Sequence, residues 1–407
     1  MSEARFLPYG RQCIEADDIE AVAEVLRGDW LTTGPKVGAF EAALSSTTGA
    51  PHAVACANGT AALHLAALAL DLGPGDVAIV PSITFVATAN AVRFVGAEVV
   101  FADVDPRTGL LTQETLAEAL SRTDGRARAV LPVHLNGQCA DLAGIQRLAG
   151  RHGLAIVEDA CHALGGEYRF GNRAGPIGDC AFADMAVFSF HPVKGITMGE
   201  GGAVTTRDAV LATKLRLLRA HHLTRDPEDF LHAELAFDAR GGSGRTPNPW
   251  YYELQGIGFN YRASDINCAL GLSQLAKLPR FMSERRRLAA RYDDGLARLS
   301  NVIRPIGKVE WCQSGWHLYA VQVAFEALGL SRAQLMAALK ERGIGTQVHY
   351  IPVHRQPYYA SRGYRELAGA DAYYGSCLTL PLFVGMAEGD VDRVVCALED
   401  IVSGSGG

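Results

Sequence analysis

Residues 14–27 (I-E-A-D-D-I-E-A-V-A-E-V-L-R) carry apolar side chains three and four positions apart, the period of a helix face, and Gly28 closes the run. From residue 53 the pattern changes. Unbroken apolar runs of strand length stand at 53–56, 77–80, 98–102, 129–134 and 155–158. Between them lie segments with a helical period, at 59–70, from about 87, at 113–120 and at 142–151. Two further runs, 183–190 and 202–206, read as strands. Short strands without polar alternation are buried on both faces, and their regular spacing by helices predicts a mainly parallel sheet between two helical layers.

Around residue 280 the sheet signal ends, and a charged helix at 284–299 opens a smaller α+β unit. There Ser331 and Gln334 have capping-box spacing, and Gly343 is placed to stop the helix they start. A last helix, from about 390 to 401, precedes a Gly/Ser end read as flexible. The predicted division is a large α/β domain over 1–280, with the N-terminal helix, and a small domain over 281–407. Residues 239–249 (A-R-G-G-S-G-R-T-P-N-P) read as a loop, and no internal repeat is visible.

Composition narrows the class. A chain of 407 residues, 48% hydrophobic and 20% charged, is that of an ordinary globular enzyme. Its net charge of -6 argues against nucleic acid as a partner, because phosphate backbones call for clustered cations. The runs Arg285-Arg286-Arg287 and Arg216 to Arg219 read as solvated helix faces. No stretch has the roughly 18 apolar residues of a membrane span, and no leader pattern opens the chain, which predicts a cytoplasmic protein. Nine cysteines, an odd number without a C-x-x-C pair, read as buried reduced thiols, with Cys56, Cys161, Cys180 and Cys268 in apolar segments. No metal-ligand spacing competes, so no metal is expected.

A lysine becomes a nucleophile only in special surroundings, since its free pKa lies far above neutrality. Lys194 sits in S-F-H-P-V-K-G-I-T-M-G-E-G-G, past an apolar strand and before a Gly-rich turn. Strand ends of parallel sheets are where ligands bind. An isolated loop lysine is ordinarily a surface residue, so the case rests on its companions. Asp159, in A-I-V-E-D-A-C-H-A-L-G, is carried to the same edge by an apolar strand. There it can keep a pyridine nitrogen protonated, or cap a helix. Opposite charges about 4 Å apart, at an effective dielectric near 20, attract by about 4 kcal/mol before desolvation. His162 can pack on a ring, bond a phenolic oxygen, or be a satisfied core histidine.

A-N-G-T-A-A-L ends a strand and opens a helix, so the backbone at Gly59, Thr60 and Ala61 turns N–H groups and the positive helix end toward one spot. Thr60 and Ser189 add hydroxyls. Phe85 either stacks on a ring or fills the core. Together these signals specify a phosphate-bearing pyridine aldehyde held on Lys194.

The same residues fall in ordered blocks along essentially the whole chain: W-L-T-T-G-P-K-V (30–37), N-G-T-A-A-L-H-L (58–65), P-S-I-T-F-V-A-T-A-N (81–90), V-E-D-A-C-H-A-L-G (157–165), V-F-S-F-H-P-V-K (187–194), G-F-N-Y-R-A-S-D-I-N-C-A-L-G (258–271) and H-Y-I-P-V-H (349–354). In them the chain resembles the sugar-nucleotide aminotransferases of the DegT/DnrJ/EryC1/StrS type, within fold-type I of the pyridoxal-phosphate enzymes. The resemblance implies a large, mainly seven-stranded mixed sheet sandwiched by helices, with a smaller α+β C-terminal domain. It implies pyridoxal 5'-phosphate on Lys194, L-glutamate as amino donor, and a homodimer with shared active sites. Asn260 or Arg262 would then reach the partner's cofactor phosphate, and Thr32, His349, Tyr350 and His354 would face the substrate.

Within that family the chain is most similar to the branch that makes a 4-amino sugar for pseudaminic acid from a UDP-linked 4-keto-6-deoxy-N-acetylhexosamine. H-H-L-T-R-D-P (221–227), P-W-Y-Y-E (249–253), M-G-E-G-G (198–202) and H-Y-I-P-V-H-R-Q-P-Y-Y (349–359) carry this. Gly195, directly after the lysine, and a long Gly-rich stretch at 230–248 depart from the branch pattern. Three alternatives stay open: another keto sugar or amination at C3, sugar dehydration, and a non-catalytic sensor. Relatives that dehydrate replace the lysine with histidine, and a sensor has no use for Lys194, Asp159 and Ser189 together.

Overall fold

The computed structural model describes residues 5–238, 246–363 and 365–404. The apolar runs become the seven strands of one sheet: β1 (His52–Cys56), β2 (Val77–Pro81), β3 (Glu98–Ala102), β4 (Ala127–Val130), β5 (Ala155–Asp159), β6 (Met185–Ser189) and β7 (Gly202–Thr206). Their spatial order is β1-β7-β6-β5-β4-β2-β3. Strands β3, β2, β4, β5 and β6 are parallel, whereas β7 runs antiparallel to both β6 and β1. The sheet is therefore mixed. Antiparallel neighbours need no crossover helix, so the chain from β6 to β7 stays at the carboxyl edge of β6 as a loop, and Lys194 is on that loop.

Both faces of the sheet are covered. Val54, Val80, Val187 and Val204 pack on one side with the helix Gly59–Ala69, whose Ala/Leu-rich surface is buried almost all round. Ala53, Ala55, Ala186, Phe188 and Ala203 pack on the other, with Phe40, Leu44 and Phe190. Each fully buried Val, Leu or Phe contributes about 1.5–3 kcal/mol. The regular strand in the run at 129–134 ends at Val130, after which Leu131 N still donates to Ile79 O at 2.9 Å and Val133 bridges Asp159. Pro132 brings no N–H, and the chain turns at Leu135–Gly137 with Asn136 at φ 60°. The helix Pro35–Thr48 had no counterpart in the sequence reading: its small residues surround the helix and leave no clear apolar stripe.

The C-terminal part holds an antiparallel sheet of β8 (Ile303–Pro305), β9 (Tyr319–Val323) and β10 (Cys377–Leu380), in the order β8-β9-β10. The helices Leu278–Leu296 and Glu388–Gly404 contribute to its core, which also takes in Leu7 from the start of the chain. The capping box forms: Ser331 Oγ accepts from Gln334 N at 3.2 Å and Gln334 Oε1 from Ser331 N at 2.8 Å. Gly343 stands at φ 73°. Of the expected 239–249 loop, residues 239–245 lie outside the described residues, as does the Gly/Ser end from 405.

One sequence expectation is corrected. Arg285 is not on a solvated face but 2% exposed, and its Nη1 donates to the carbonyls of Trp316, His317 and Leu382 at 3.1, 3.2 and 3.2 Å. Three carbonyl acceptors compensate part of the desolvation of the guanidinium. Arg219 is likewise half-buried and ion-paired with Glu41.

Candidate active site

At the carboxyl edge of β5 and β6 lies a cavity of about 550 Å³. It gathers nine of the residues singled out in the sequence: Gly59, Thr60, Phe85, Asp159, His162, Ser189, Lys194, His349 and Tyr350. Lys194 is held by its backbone, N–H to His191 O at 2.8 Å, inside a loop closed by Phe190 N to Gly201 O and Met198 N to Phe190 O, both 2.9 Å. The residue as a whole is half-buried, and the surrounding protein desolvates its amine enough to pull its pKa below the usual lysine value, against the opposing pull of Cys161 and Asp159. An amine of lowered basicity is the form a nucleophile or proton carrier needs. At Gly195 an added Cβ would meet only ordinary contacts at 3.8–4.0 Å, so space does not require glycine there.

Asp159, 5% exposed, ends β5. Thr88 Oγ1 donates to its Oδ2 at 2.7 Å and Cys161 N to its Oδ1 at 3.2 Å. Thr84 Oγ1 is 2.8 Å from Thr88 Oγ1, and since the Thr88 proton goes to the carboxylate, Thr84 is the donor of that pair. The carboxylate is thus oriented from behind, with no ion-pair partner among the described residues. A buried carboxylate open toward a cavity fits a cationic ring nitrogen.

The turn into the helix Gly59–Ala69 supplies the second half of the fit. Asn58 Oδ1 accepts from Ala61 N at 2.8 Å, capping the helix. Ala61 therefore sits behind the turn with its N–H already used, and it does not line the cavity. The N–H groups of Gly59 and Thr60 remain for an anion. Gly59 must be glycine, since a Cβ there would meet Ser189 Cβ at 2.8 Å and Oγ at 3.2 Å. Glycine lets Ser189 pack against the turn, so the two N–H groups and the Thr60 and Ser189 hydroxyls line one wall of the cavity, a set that suits a phosphate. With Lys194 and Asp159, these groups fit pyridoxal phosphate.

The remaining wall is aromatic. Phe85, 56% exposed, is not a core residue; its ring centroid lies 6.0 Å from that of Tyr350. Tyr350 Oη is 3.0 Å from His162 Nε2, and His349 Nδ1 is 2.8 Å from Thr379 Oγ1. Burial, and then the nearby Lys194 amine, push His162 and His317 well below the usual histidine range and His349 to about 3, so all three are neutral. His317 was not anticipated. It is 3% exposed, lines the cavity with its ring 4.4 Å from that of His162, and buries an Nδ1 without a partner. G-W-H-L-Y before a strand carries no signal of this. Thr88 was legible only as part of P-S-I-T-F-V-A-T-A-N. Cys161, read as a structural thiol, also lines the cavity, and Cys396 is exposed; all nine cysteines are free.

Four of the singled-out residues besides Ala61 lie elsewhere. His354 is buried against Ser82, Oγ to Nδ1 2.6 Å, outside the cavity. Thr32 is exposed and bridges Ser264, next to exposed Asn260 and half-buried Arg262. Asp265 locks this edge by accepting from Gly34 N at 2.7 Å and Lys36 N at 2.8 Å. Glu15, Asp17 and Asp18 come within 4.8 Å of one another, but Lys277 Nζ already stands 3.2, 2.6 and 2.8 Å from them. No helix among the described residues is long and apolar enough to cross a membrane.

Comparison with known proteins adds independent findings. A model of the DegT/DnrJ/EryC1/StrS aminotransferase family matches residues 12–399. Among solved structures, Helicobacter pylori PseC, described as an aminotransferase in the biosynthesis of pseudoaminic acid, superposes with a TM-score of 0.86 and 28% identity, covering 98% of this chain and 100% of that one. DesV from S. venezuelae gives 0.83 and 31%, covering 98% and 99%. Spr1654 from Streptococcus pneumoniae, solved in PLP and PMP forms, gives 0.86 and 28% in the PMP form, covering 98% of each chain.

Proposed function

Because the chain belongs to the DegT/DnrJ/EryC1/StrS aminotransferase family and is a pyridoxal-phosphate-dependent aminotransferase, we propose that it moves the amino group of L-glutamate to C4 of a UDP-linked 4-keto-6-deoxy-N-acetylhexosamine. The observation that carries this reading is the desolvated Lys194 amine in one cavity with the oriented Asp159 carboxylate and the Gly59–Ser189 cradle. The sugar rests on the full-length likeness to PseC and on the four segments named above. Another nucleotide-linked keto sugar, aminated at C4 or C3, is the alternative.

Pyridoxal phosphate, when bound, supplies an electron sink that lets a proton leave the carbon bearing the amino group. Asp159 would keep the ring nitrogen protonated, and the turn at Gly59 and Thr60, with Ser189, would hold the phosphate. Lys194 Nζ takes the proton from the α-carbon of glutamate. In the second half of the cycle it delivers one to the sugar carbon that gains the amine. Phe85, His349 and Tyr350 line the same cavity, where Phe85 would pack on the ring and His349 and Tyr350 would face the substrate.

The active form is a homodimer that shares its sites. Among the residues that line the cavity, Lys194 is the single Lys or Arg, while a phosphate, a nucleotide diphosphate and the glutamate carboxylates must all enter. Arg262, with no ion pair among the described residues, and Asn260 lie on an exposed edge beside Trp30, 59% exposed, and Leu31. The nine free cysteines suit a reducing cytoplasm.

The test separates the two half-reactions. The enzyme is converted with L-glutamate, freed of donor, and given UDP-linked 4-keto sugars one at a time. Return of the visible absorption of the lysine-bound cofactor, with an amino sugar of matching mass, identifies the acceptor. If glutamate removes the absorption but no 4-keto sugar restores it, the substrate reading fails while the family stands.

A further inference from the structure

Three neutral rings around a lysine raise the question of where their protons point, and here the geometry answers it. Asn136 lies in the turn after β4, 2% exposed and at φ 60°. Its backbone N–H is aimed at His162 Nδ1, 3.3 Å away, and its side-chain amide donates to Tyr373 Oη at 3.0 Å, which pins the turn. A backbone N–H can only donate. His162 Nδ1 must therefore offer its lone pair, and the proton of the neutral ring sits on Nε2. Nε2 is 3.0 Å from Tyr350 Oη, so the imidazole donates and the tyrosine oxygen accepts. The Tyr350 hydrogen is left over. His162 is the hydroxyl's one hydrogen-bond partner among the described residues, and Tyr350 lines the cavity beside Lys194. The His317 ring, 4.4 Å from that of His162, backs the imidazole and restricts its flip.

We infer that Asn136, His162 and Tyr350 form a hydrogen-bond chain of fixed direction, which presents the Tyr350 O–H as a donor to a carbonyl or anionic oxygen held in the Lys194 cavity. Two sources share that chemistry: the ring oxygen of the cofactor and the keto oxygen of the sugar. Burial and the neighbouring Asp159 raise the Tyr350 phenol well above its usual pKa, so the donor keeps its proton. Asn136 and His162 are positioning residues in this scheme; Tyr350 is the group that touches the ligand. The ligand end of the inference rests on the aminotransfer reading of the cavity, whereas the direction of the chain does not.

The experiment has two arms. In the first, the cofactor-free protein is labelled with 15N-histidine, and the His162 signals are assigned by their loss in His162→Gln. The expected result is a neutral ring protonated on Nε2 that does not titrate between about pH 6 and 8.5. An Nδ1-protonated ring, or one that titrates in that range, overturns the inference whatever the protein's activity. This arm needs no variant at position 350. In the second, Tyr350→Phe is compared with wild type. If the acceptor is the cofactor's ring oxygen, the pH midpoint of the visible band of the lysine-bound cofactor rises by about one unit or more, since the donor no longer drains charge from that oxygen. If the acceptor is the sugar, the midpoint stays and kcat/KM for the keto sugar falls roughly 10- to 100-fold while that for glutamate is kept. A variant with neither change overturns the donor role.

Discussion

The cavity around Lys194 and the edge that carries Thr32, Asn260 and Arg262 contain residues that one site should unite, yet they are built on different principles. The cavity wall is held largely by hydrogen bonds among its own groups. Asp159 is bonded from behind by Thr88 and Cys161, His162 is held between Asn136 and Tyr350, and Asn58 caps its own helix. The outer edge is exposed, with Trp30 at 59% and no ion pair for Arg262 among the described residues. The first region supplies neutral donors, two carboxylates (Asp159 and Glu200) and one amine. The cation that a phosphate calls for is on the second. The contrast teaches that the groups for an anion site are divided between two places, which the proposed dimer would join.

The most severe break is at the centre of the first region. Lys194→Ala removes both the anchoring amine and the proton carrier. We expect turnover to fall by at least about 10² to 10⁴-fold, the usual contribution of a positioned proton-transfer group, with loss of the visible cofactor band. Near-normal turnover in single-turnover assays would remove Lys194 from the mechanism.

The next effect joins the regions. Arg262→Ala should weaken cofactor binding by roughly 10- to 100-fold, the worth of a charge-assisted hydrogen bond, without unfolding the protein. Mixing inactive Lys194→Ala with Arg262→Ala then gives a sharper readout. Random pairing puts about half the protein in mixed dimers with one intact site of two, so about a quarter of wild-type activity should return. No recovery, with exchange of subunits confirmed by mass, would show that each chain completes its own site.

The same contrast explains what could be read from the sequence. The strands were legible because apolar runs buried on both faces leave an unbroken signature, and strand ends then placed Asp159, Ser189 and Lys194 together. The hydrogen-bonded shell behind them was not. His317 and Asn136 come from distant segments and act through a ring face or a backbone N–H, which leaves no spacing to detect. Arg285 deceived the reading for a related reason: a triple arginine on a charged helix looks solvated, and only the fold shows three carbonyls closing on the middle of the molecule. Ala61 lies outside the cavity because the Asn58 cap takes its N–H, a placement that block spacing does not show.

A milder change probes the shell. Thr88→Val keeps shape but removes the hydroxyl from Asp159 Oδ2, leaving the Cys161 N–H in place. We expect a loss of about 1.5 kcal/mol, roughly tenfold in kcat/KM, with folding unaffected. Wild-type kinetics would mean that the backbone bond alone orients the carboxylate.

The last effect is in stability and tests the neutrality of the cavity. His349 has a folded pKa of about 3 against 6.5 unfolded, through burial first and the Lys194 charge second. Between those values the unfolded chain binds the proton and the folded one does not, so stability falls as pH drops. Its contribution is complete above about pH 6.5 and is lost progressively toward pH 3, with a slope of up to about 1.4 kcal/mol per pH unit. His162 and His317 are depressed in the same direction and add to the slope. Denaturant titrations of the cofactor-free protein at pH 7, 6 and 5 should show this decline, and His349→Gln, which cannot titrate, should flatten it by up to one proton's worth. An unchanged slope in that variant would mean that the His349 ring takes up its proton in the folded state, and the cavity wall would then be able to carry positive charge, which is the property the outer edge alone is argued to supply.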